Sequence, residues 1–458
     1  MKWPAMGAPV EGGGQHRPEL VARYRRARWG VWGVAAAVFF VSYFHRVAPA
    51  VVAKSLMAEF QTTGAVLGVL AAGYLHIYAL MQVPAGLLAD VAGPRGTLLG
   101  GAVVMAAGSA LFGAAANLPL AYAGRFLTGL GASVIFVCLM KLAATWFRPR
   151  EFATLSGLAV TVGNLGGIAA ATPLALLAGA IGWRGAFYLV AAGTAGLAVL
   201  AWRFVHARPE DLGLPSPIVL EQGQAPRDLP RARVGEGLRT VLANRHTWPA
   251  FFVFFGLYST LITFVGLWGV PYLRDVYGMG PAQAANLMAL ASAGLVAGGP
   301  VAGVLSDRIL ARRRAPYLAF GAAYAALWGV FALAPGTRPP EATLPVLTFA
   351  LGFSSAGLVL TWVCATEVNP PRYAGLATAA VNTGGFVGAA ILQVVLGAVL
   401  DANWAGVVQE GARVYSPAAY GAAFRICFGM AAGAALLATF VTETYGRNIW
   451  EQLRGPAA

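Results

Sequence analysis

The sequence predicts an all-α membrane protein of twelve transmembrane helices, arranged as two related bundles of six. Three observations support this fold class. The chain is 58% hydrophobic and 11% charged, whereas soluble proteins carry roughly 25% charged residues. Twelve apolar runs are long enough to cross a bilayer, which takes roughly 17–25 residues. A short motif occurs twice, 217 residues apart, as expected for two halves of one architecture.

The two copies of this motif follow the second and the eighth apolar runs. The first reads GLLADVAGPRG, from Gly86 to Gly96, and the second reads GVLSDRILARRR, from Gly303 to Arg314. Each copy places an Asp four residues after a Gly, with arginines just beyond. A second pair, NLGG beginning at Asn164 and NTGG beginning at Asn382, lies 218 residues apart. Two matches at nearly the same offset indicate a duplicated architecture.

The apolar runs divide the chain into two halves with a polar linker between them. The predicted spans are 29–53, 64–89, 95–115, 118–147, 152–180, 184–205, 248–275, 281–306, 315–334, 343–367, 373–400 and 417–442. The expected segments are an N-terminal tail at 1–28, a first half at 29–205, a linker at 206–247, a second half at 248–442 and a C-terminal tail at 443–458. The linker is too rich in Pro, Arg and acidic residues to cross lipid.

The basic residues are distributed unevenly between the two faces of the membrane. The face that holds both termini carries 23 Lys or Arg residues, and the opposite face carries five. This asymmetry predicts cytoplasmic termini, and a chain with 29 Arg and 3 Lys fits a bacterial inner-membrane protein. The net charge of +14 therefore serves orientation and contact with anionic lipid. Nucleic-acid binding is a poor alternative, because no basic stretch forms a recognisable module.

At its motifs, the chain resembles the major facilitator superfamily of transporters, and the resemblance extends over all twelve spans. The pattern Gly-x-x-x-Asp-x-x-Gly-x-Arg at 86–95 resembles the family signature between helices two and three. Arg125, in GRFLTGLG, resembles the fourth-helix arginine motif, and GLAVTVGNLGGIAAATP at 157–173 resembles the fifth helix. Val91 replaces the usual basic residue, and Leu310 replaces the second glycine in the second copy. The resemblance implies alternating access between two six-helix halves.

The repeated motif predicts a gate on the cytoplasmic side. An Asp at the C-terminal end of a helix is disfavoured by that helix's own dipole. Asp90 and Asp307 therefore fit best if each faces the N-terminus of a helix in the other half, a contact that the family's gating model places in the outward-facing state. The alternative is solvated loop charges that only enforce topology. The predicted gate residues are Gly86, Asp90, Arg95, Gly303, Asp307 and Arg308.

Ionisable residues inside the spans are costly and usually functional. Arg46, Arg125 and Glu367 lie within predicted spans, as do Lys141 and Arg425, for which snorkelling or headgroup contact is an adequate explanation. The first half has no mid-membrane carboxylate of the kind that proton-coupled relatives use. Two modes of coupling therefore stay open: exchange, and proton coupling through His76 or the Arg125 region. The coupling candidates are Arg125, His76, His45 and Glu367.

Arg46 is the predicted contact for substrate. It lies well within the first span, and a similar first-helix arginine binds substrate in the anion-carrying branches of the superfamily. A permanently charged planar fork suits a carboxylate or phosphate. The alternative is an arginine that only reaches the lipid interface. The predicted neutral partners and cavity walls are Tyr43, Tyr74, Tyr78, Gln82, Tyr258, Trp268, Trp362, Asn164 and Asn382.

These observations predict a secondary active transporter of a small organic anion, monomeric, with protons as a further candidate partner. No nucleotide-binding loop, metal-ligand spacing or nucleophile–base pair occurs in the sequence, so neither an ATP-driven pump nor an enzyme is expected, and no cofactor is. Cys138, Cys364 and Cys427 fit buried apolar positions. The alternatives are a carrier of amino acids or nitrate, a drug-efflux antiporter, or a membrane sensor that keeps the transporter fold.

Overall fold

A computed structural model describes residues 17–148, 151–214, 234–334, 336 and 338–453. Ten helical stretches, or eleven when one bent pair is joined, are long and apolar enough to cross a membrane. One of them, Leu155–Phe204, has 50 residues and as a single helix would reach about 75 Å, more than twice the thickness of a bilayer core. Its backbone leaves the helical conformation at Gly182, with φ of 74°. It therefore forms two spans, which gives twelve spans within the described residues and confirms the predicted fold class.

Spans 1 to 6 form the first half. Their helices are Arg17–Val47 with Pro49–Phe60 (span 1), Gly64–Leu80 with Gln82–Val91 (span 2), Gly93–Gly113 (span 3), Leu118–Ser133 with Ile135–Trp146 (span 4), and Phe152–Ala169 with Thr172–Phe204 (spans 5 and 6, divided at Gly182). The first helix begins inside the predicted N-terminal tail. Its early turns are held there because the Tyr24 hydroxyl donates to the carbonyl of Trp146 and Arg28 pairs with Glu151 at 3.1 Å.

Spans 7 to 12 form the second half. Their helices are Thr247–Thr263, Phe264–Trp268 and Gly269–Tyr277 (span 7), Pro281–Val304 and Leu305–Ile309 (span 8), Arg314–Leu333 (span 9), Leu344–Ser355, Ala356–Val359 and Leu360–Glu367 (span 10), Ala374–Ala402 (span 11), and Pro417–Leu437 with Ala438–Phe440 (span 12). Short helices lie at Pro209–Leu212, Val234–Ala243, Glu341–Thr343, Pro371–Tyr373 and Trp450–Leu453. Strands Val408–Gln409 and Ala412–Arg413 pair antiparallel between spans 11 and 12.

We call the face with both described chain ends the terminal face and the opposite one the far face.

Prolines set two of the breaks within spans. Pro49 follows the break at Ala48 in span 1, and span 2 bends by 54° near Met81, just before Pro84. Proline has no N–H and its ring collides with the carbonyl four residues earlier. The His45 carbonyl therefore has no helical donor from Pro49. Arg125 of span 4 donates a hydrogen bond to that carbonyl instead.

Spans 2 and 11 bring the two halves into backbone contact near the far face. A Cβ atom built on Gly64 would lie 3.1 Å from the Gly397 carbonyl oxygen, and one built on Gly68 would lie 2.4 Å from the Gln393 carbonyl oxygen. Real Cβ atoms do not approach a backbone oxygen as closely as the second distance. Glycine at 68 therefore allows the two helices to close completely at this height.

We expect Gly68→Val to hold the halves apart at the far face. Overpacking of this kind costs about 1–3 kcal/mol, which shifts the closed-to-open equilibrium roughly five- to a hundredfold. The measurement is the rate at which a membrane-impermeant maleimide labels a single cysteine placed in this interface. Gly33→Ala is the control, because a Cβ at Gly33 would meet nothing within 4 Å. Equal labelling of the two variants would contradict the prediction.

Candidate substrate site between the two halves

Arg46 lies in span 1, two residues before the break at Ala48. The residue is only 6% exposed. Its Nη1 donates a hydrogen bond of 3.1 Å to the hydroxyl of Tyr258, which is on span 7. Because Tyr258 belongs to the second half, this bond joins the two halves in the interior of the protein.

Aromatic rings surround the Arg46 guanidinium. Its Cζ lies 4.5 Å from the ring centroid of Tyr43, 4.8 Å from that of Tyr78, 5.0 Å from that of Phe386 and 5.9 Å from that of Tyr74. Ring faces attract a cation, and the attraction is stronger where water is excluded. Three of these rings come from the first half and Phe386 comes from span 11. Both halves therefore contact the charge.

Part of the Arg46 guanidinium lacks a hydrogen-bond partner in the described part of the chain. Among the described residues, Nε and Nη2 have no hydrogen-bond acceptor, and the ion pairs found there do not include Arg46. A buried charge is costly unless it is paired, so the position fits a site that receives an anion. An adjoining cavity of about 20 Å³ is lined in part by Tyr43, Tyr258, Asn164 and Ser292. It has room for about one water molecule.

Arg125 forms a second buried cation, 2% exposed, in the interior of the first half. Its Nη1 donates 2.8 Å to the His45 carbonyl, the acceptor that Pro49 leaves without a helical donor. Its Cζ lies 5.2 Å from the ring centroid of Tyr74, a ring that also faces Arg46. The His45 side chain is fully buried, and neither of its ring nitrogens has a partner among the described residues. Two of the four predicted coupling residues, Arg125 and His45, therefore lie next to the Arg46 site.

The predicted polar residues of spans 2, 5 and 11 also lie between the halves. Asn382 donates a hydrogen bond of 3.0 Å from Nδ2 to the side-chain oxygen of Gln82, so these two residues join spans 2 and 11. Asn164 lines the small cavity, while its Nδ2 donates to the Val160 carbonyl of its own helix. The repeat-related asparagines thus lie in different settings, one against Gln82 and one on the cavity wall.

Three other predicted residues lie away from the guanidinium. Trp268 is fully buried towards the far face, where its Nε1 donates 3.3 Å to the carbonyl of Gln393. Trp362 contacts the site only through Phe254. Its ring centroid lies 5.9 Å from that of Phe254, and Phe254 stacks on Tyr258. His76 is half-buried on span 2. Sequence alone missed Phe386, although it directly follows the NTGG motif that begins at Asn382.

A cluster of charges holds the second half together at the terminal face. Arg313 donates to both carboxylate oxygens of Glu367, the shortest bond being 2.8 Å. It also pairs with Asp307, which lies in the same loop region. Arg313 was not among the predicted residues, and it rather than Arg308, which is exposed, pairs with Asp307. Glu367, a coupling candidate, lies in this cluster rather than beside Arg46.

The first copy of the repeated motif has a different set of contacts. Arg95 donates 2.8 Å from Nη2 to the carbonyl of Trp202, within the first half. Gly86 and Gly303 are both open, with nothing within 4 Å of a Cβ built on them. The side chain of Asp90 lies outside the described residues. In this conformation Asp307 pairs within its own half, and the predicted contact of Asp90 and Asp307 with the opposite half stays a prediction.

Glu443 caps the N-terminus of span 9. Its carboxylate accepts from the backbone N–H groups of Arg313 at 2.8 Å and Arg314 at 3.1 Å. Burial by itself would raise the pKa of Glu443, but these backbone donors outweigh it and lower the pKa below the usual 4.5. A lowered pKa in the folded state means that the carboxylate stabilises the fold above its unfolded pKa, and that this stabilisation is lost as the pH falls.

We therefore expect Glu443→Gln to lower the melting temperature at pH 7 and to have little effect near pH 3. Loss of a charged helix cap costs about 1 kcal/mol, or roughly 2 °C in a chain of this size. Thermal unfolding of the detergent-solubilised protein across this pH range is the measurement. Glu341→Gln is the control, because Glu341 is exposed. A melting difference that stays constant with pH would show that the charge of Glu443 is not responsible.

Two carboxylates close the far face. Asp275, on span 7, pairs with Lys54 of span 1 at 2.7 Å, and both side chains are less than a tenth exposed. Asp401, at the end of span 11, accepts the backbone N–H groups of Gly64 at 2.9 Å and Ala65 at 2.7 Å. A carboxylate at the start of a helix is favoured by the helix dipole. Each carboxylate thus links the second half to the first.

The hydrogen bonds and ion pairs that join the two halves, among the described residues, lie at the far face or in the interior. The charge clusters of the terminal face each stay within one half, as do Arg313 with Glu367 and Arg28 with Glu151. The structure is therefore closed on the far side.

Twelve spans with a polar site between two halves define a membrane transporter rather than an enzyme. The chain belongs to the Major Facilitator Superfamily, whose family model matches residues 33–393, which confirms the predicted resemblance. Solved structures agree on the fold. The inward-open xylose transporter XylE of Escherichia coli has a TM-score of 0.70 at 15% identity, covering 93% of this chain and 99% of that one. An inward-facing bacterial homolog of the human lysosomal transporter Spinster has a TM-score of 0.68 at 16% identity, covering 97% and 100%.

Curated relatives cover most of the chain. The probable sulfoacetate transporter SauU of Cupriavidus necator is 27% identical, over 82% of this chain and 88% of its own. The membrane sensor protein UhpC of Escherichia coli is 27% identical, over 85% and 90%. The probable galactarate/D-glucarate transporter GudP of Bacillus subtilis is 22% identical, over 82% and 86%.

Proposed function

We propose that this protein is a secondary active transporter that moves a small organic anion across the bacterial inner membrane by alternating access. The observation that carries the proposal is the Arg46 guanidinium, which is 6% exposed between the halves and has two nitrogens without an acceptor among the described residues. A planar fork with available N–H groups is suited to a carboxylate, sulfonate or phosphate. The rings of Tyr43, Tyr74 and Tyr78 surround the guanidinium, and their hydroxyls are neutral groups that can help orient such an anion.

The names of the relatives support an anionic solute. One is named for sulfoacetate and another for galactarate and glucarate, and all three solutes are anions at neutral pH. A second buried cation, Arg125, adds to the positive potential of the same region, and low-dielectric walls strengthen that potential. The charge asymmetry of the loops supports cytoplasmic termini, which makes the terminal face cytoplasmic. The proposed working unit is a monomer.

In the proposed cycle, the two faces open in alternation around Arg46. Asp275 and Asp401 close the far face when the substrate site opens to the cytoplasm. Gly86, Asp90, Arg95, Gly303, Asp307 and Arg308 form the proposed cytoplasmic gate, which closes when the far face opens. The change would require Asp307 to leave Arg313 and Asp275 to leave Lys54. Each state thus gives up one set of charge contacts and gains another.

We further propose that transport is coupled to protons or to a counter-anion through residues beside Arg46. His45 and Arg125 are placed to respond to the substrate, since Arg125 donates to the His45 carbonyl next to Arg46. His76 and Glu367 are more remote. We expect His76→Ala to retain concentrative uptake driven by an imposed pH gradient in proteoliposomes, and His45→Ala to lose most of it. Loss of uptake in His76→Ala alone would move the coupling site to span 2.

A membrane sensor with a transporter fold is the second candidate, because UhpC aligns over 85% of this chain. A transporter moves the anion across the membrane, whereas a sensor only binds it. Purified protein in proteoliposomes is offered radiolabelled sulfoacetate, galactarate and glucarate, with protein-free liposomes as the control. A transporter accumulates at least one of them with saturable kinetics. A sensor binds the anion, detected as an increased melting temperature, and shows no flux above the control.

A further inference from the structure

We infer that the Tyr258 hydroxyl and the Phe386 ring act as an internal stand-in for the substrate anion and hold the far face closed when no anion is bound. This inference rests on the proposed function, since it assumes that Arg46 is the anion contact. It assigns to Tyr258 a role beyond lining the site, and it adds Phe386, which was not among the predicted site residues.

Among the described residues, the hydrogen bonds and cation–ring contacts of Arg46 with the second half are those with this pair of rings. Tyr258 accepts the hydrogen bond from Nη1 at 3.1 Å, and the Phe386 centroid lies 5.0 Å from Cζ. The rings of Tyr258 and Phe386 pack on each other with centroids 5.1 Å apart. The backbone of span 7 also passes close by, since a Cβ on Gly266 would lie 3.6 Å from the Arg46 carbonyl oxygen. The second half therefore presents a two-ring wall to the guanidinium.

Local sequence fixes the position of this wall. A Cβ built on Gly385 would lie 2.4 Å from the Phe254 ring and 2.9 Å from the Tyr258 ring. Glycine at 385 thus leaves the space that the two stacked rings of span 7 occupy. The next residue, Phe386, packs on Tyr78 of the first half with ring centroids 4.4 Å apart. One glycine and one phenylalanine of span 11 therefore place span 7 and span 2 on either side of Arg46.

These contacts and a bound organic anion exclude each other. The cavity beside Tyr43 and Tyr258 has a volume of about 20 Å³, enough for about one water. A carboxylate or sulfonate with a carbon chain needs several times that volume, so the Tyr258 side chain must move away before such an anion can lie against the guanidinium. Tyr258 and the substrate therefore compete for the same space beside Arg46.

An internal acceptor for Arg46 lets a carrier close its far face without substrate. Closing the halves around an uncompensated guanidinium is unfavourable, because the charge loses water and gains no counter-charge. A hydroxyl acceptor and ring faces offset part of that loss. The carrier can then close its far face without cargo, which the return step of net transport requires. A carrier without the stand-in would close readily only around an anion and would approach obligatory exchange.

The test uses the full chain with its three cysteines, all buried, replaced by alanine and one cysteine introduced at Val270. Val270 is 1% exposed in the far-side part of span 7. Labelling by a membrane-impermeant maleimide, in buffer that holds only chloride as anion, reports opening of the far face. We expect Tyr258→Phe to label about tenfold faster than the parent, as for loss of a hydrogen bond to a charged group. Tyr324→Phe is the matched control, since its hydroxyl bonds Thr260 within the second half.

A double substitution separates the stand-in role from simple packing. In an Arg46→Ala background the hydroxyl of Tyr258 has no guanidinium to serve, so Tyr258→Phe should change labelling less than twofold. Equal labelling of Tyr258→Phe and Tyr324→Phe, or the same tenfold increase in the Arg46→Ala background, overturns the inference. The labelling needs no substrate. A failure here is therefore distinct from a failure of the proposed function, which would appear as absent anion flux in proteoliposomes.

Discussion

Arg46→Ala is expected to weaken binding of the transported anion about ten- to a hundredfold. A hydrogen bond between charged groups contributes about 1.5–3 kcal/mol, and each 1.4 kcal/mol is a factor of ten in affinity. The guanidinium is buried and has two nitrogens available for an anion, so water cannot replace the lost contact at low cost. Calorimetric titration of the purified protein with the transported anion is the measurement.

Two further variants are compared with Arg46→Ala in the same titration. Arg46→Lys should recover only part of the affinity, because an ammonium cannot reproduce the bidentate fork. Arg425→Ala should leave affinity unchanged, because Arg425 is a second arginine within a span but is exposed on span 12. If the affinity of Arg46→Ala is within about twofold of the parent's, the change in binding free energy is below ~0.5 kcal/mol. The arginine is then an interfacial anchor. A neutral or zwitterionic substrate, or drug efflux, would then be the better proposal.

Asp275→Asn is expected to open the far face. The variant leaves the buried Lys54 ammonium without its ion-pair partner, and it weakens the acceptor for Tyr415 N–H and the Tyr420 hydroxyl. Breaking a buried pair by removing one partner costs about 3–5 kcal/mol. That cost falls on the closed conformation, since Lys54 can reach solvent once the halves separate. The expected shift towards far-side opening is roughly a hundredfold or more.

Maleimide labelling of a cysteine at Val270 measures this opening. The control is Glu59→Gln, which removes the partner of Arg184 in an ion pair of the first half whose side chains are 34% and 45% exposed. Exposed pairs contribute about 0–1 kcal/mol, so Glu59→Gln should label like the parent. Comparable rates for Asp275→Asn and Glu59→Gln would mean that the Lys54–Asp275 pair does not hold the far face closed.

The sequence was sufficient for the fold class and for one wall of the site. Apolar runs predict spans directly, because a bilayer demands a fixed length of apolar helix. Tyr74 and Tyr78 are one helical turn apart and so share a face with Gln82. Arg46 stood out because a charge within a span is rare. All of these are properties of single helices, which a sequence displays.

Contacts between helices were largely missed. Phe386 meets Arg46 only because span 11 packs against span 2 through glycines such as Gly68, and the sequence does not give the register of that packing. Asp401 reaches Gly64 for the same reason, across 337 residues. The sequence alone does not identify Phe386 or Asp401 as a contact residue, because each contact depends on how two distant helices dock.

The partner of Asp307 in this conformation was also missed. The helix of span 8 ends with the π-helical turn Leu305–Ile309, and the chain leaves the helical conformation before span 9 begins at Arg314. This loop brings Arg313 back to Asp307 and Glu367, whereas Arg308 is exposed. The predicted role of Arg308 in the gate stays a prediction.

Competition in proteoliposomes tests most directly whether Arg46 binds a transported anion. Uptake of the labelled organic anion is measured against unlabelled anions and against their uncharged amides, in the parent and in Arg46→Ala. We predict that carboxylates or sulfonates compete in the parent, that the amides do not, and that Arg46→Ala loses this preference together with most of its uptake. Equal competition by the amides, or an unchanged preference for anions in Arg46→Ala, would contradict the proposal that Arg46 recognises the charge of the substrate.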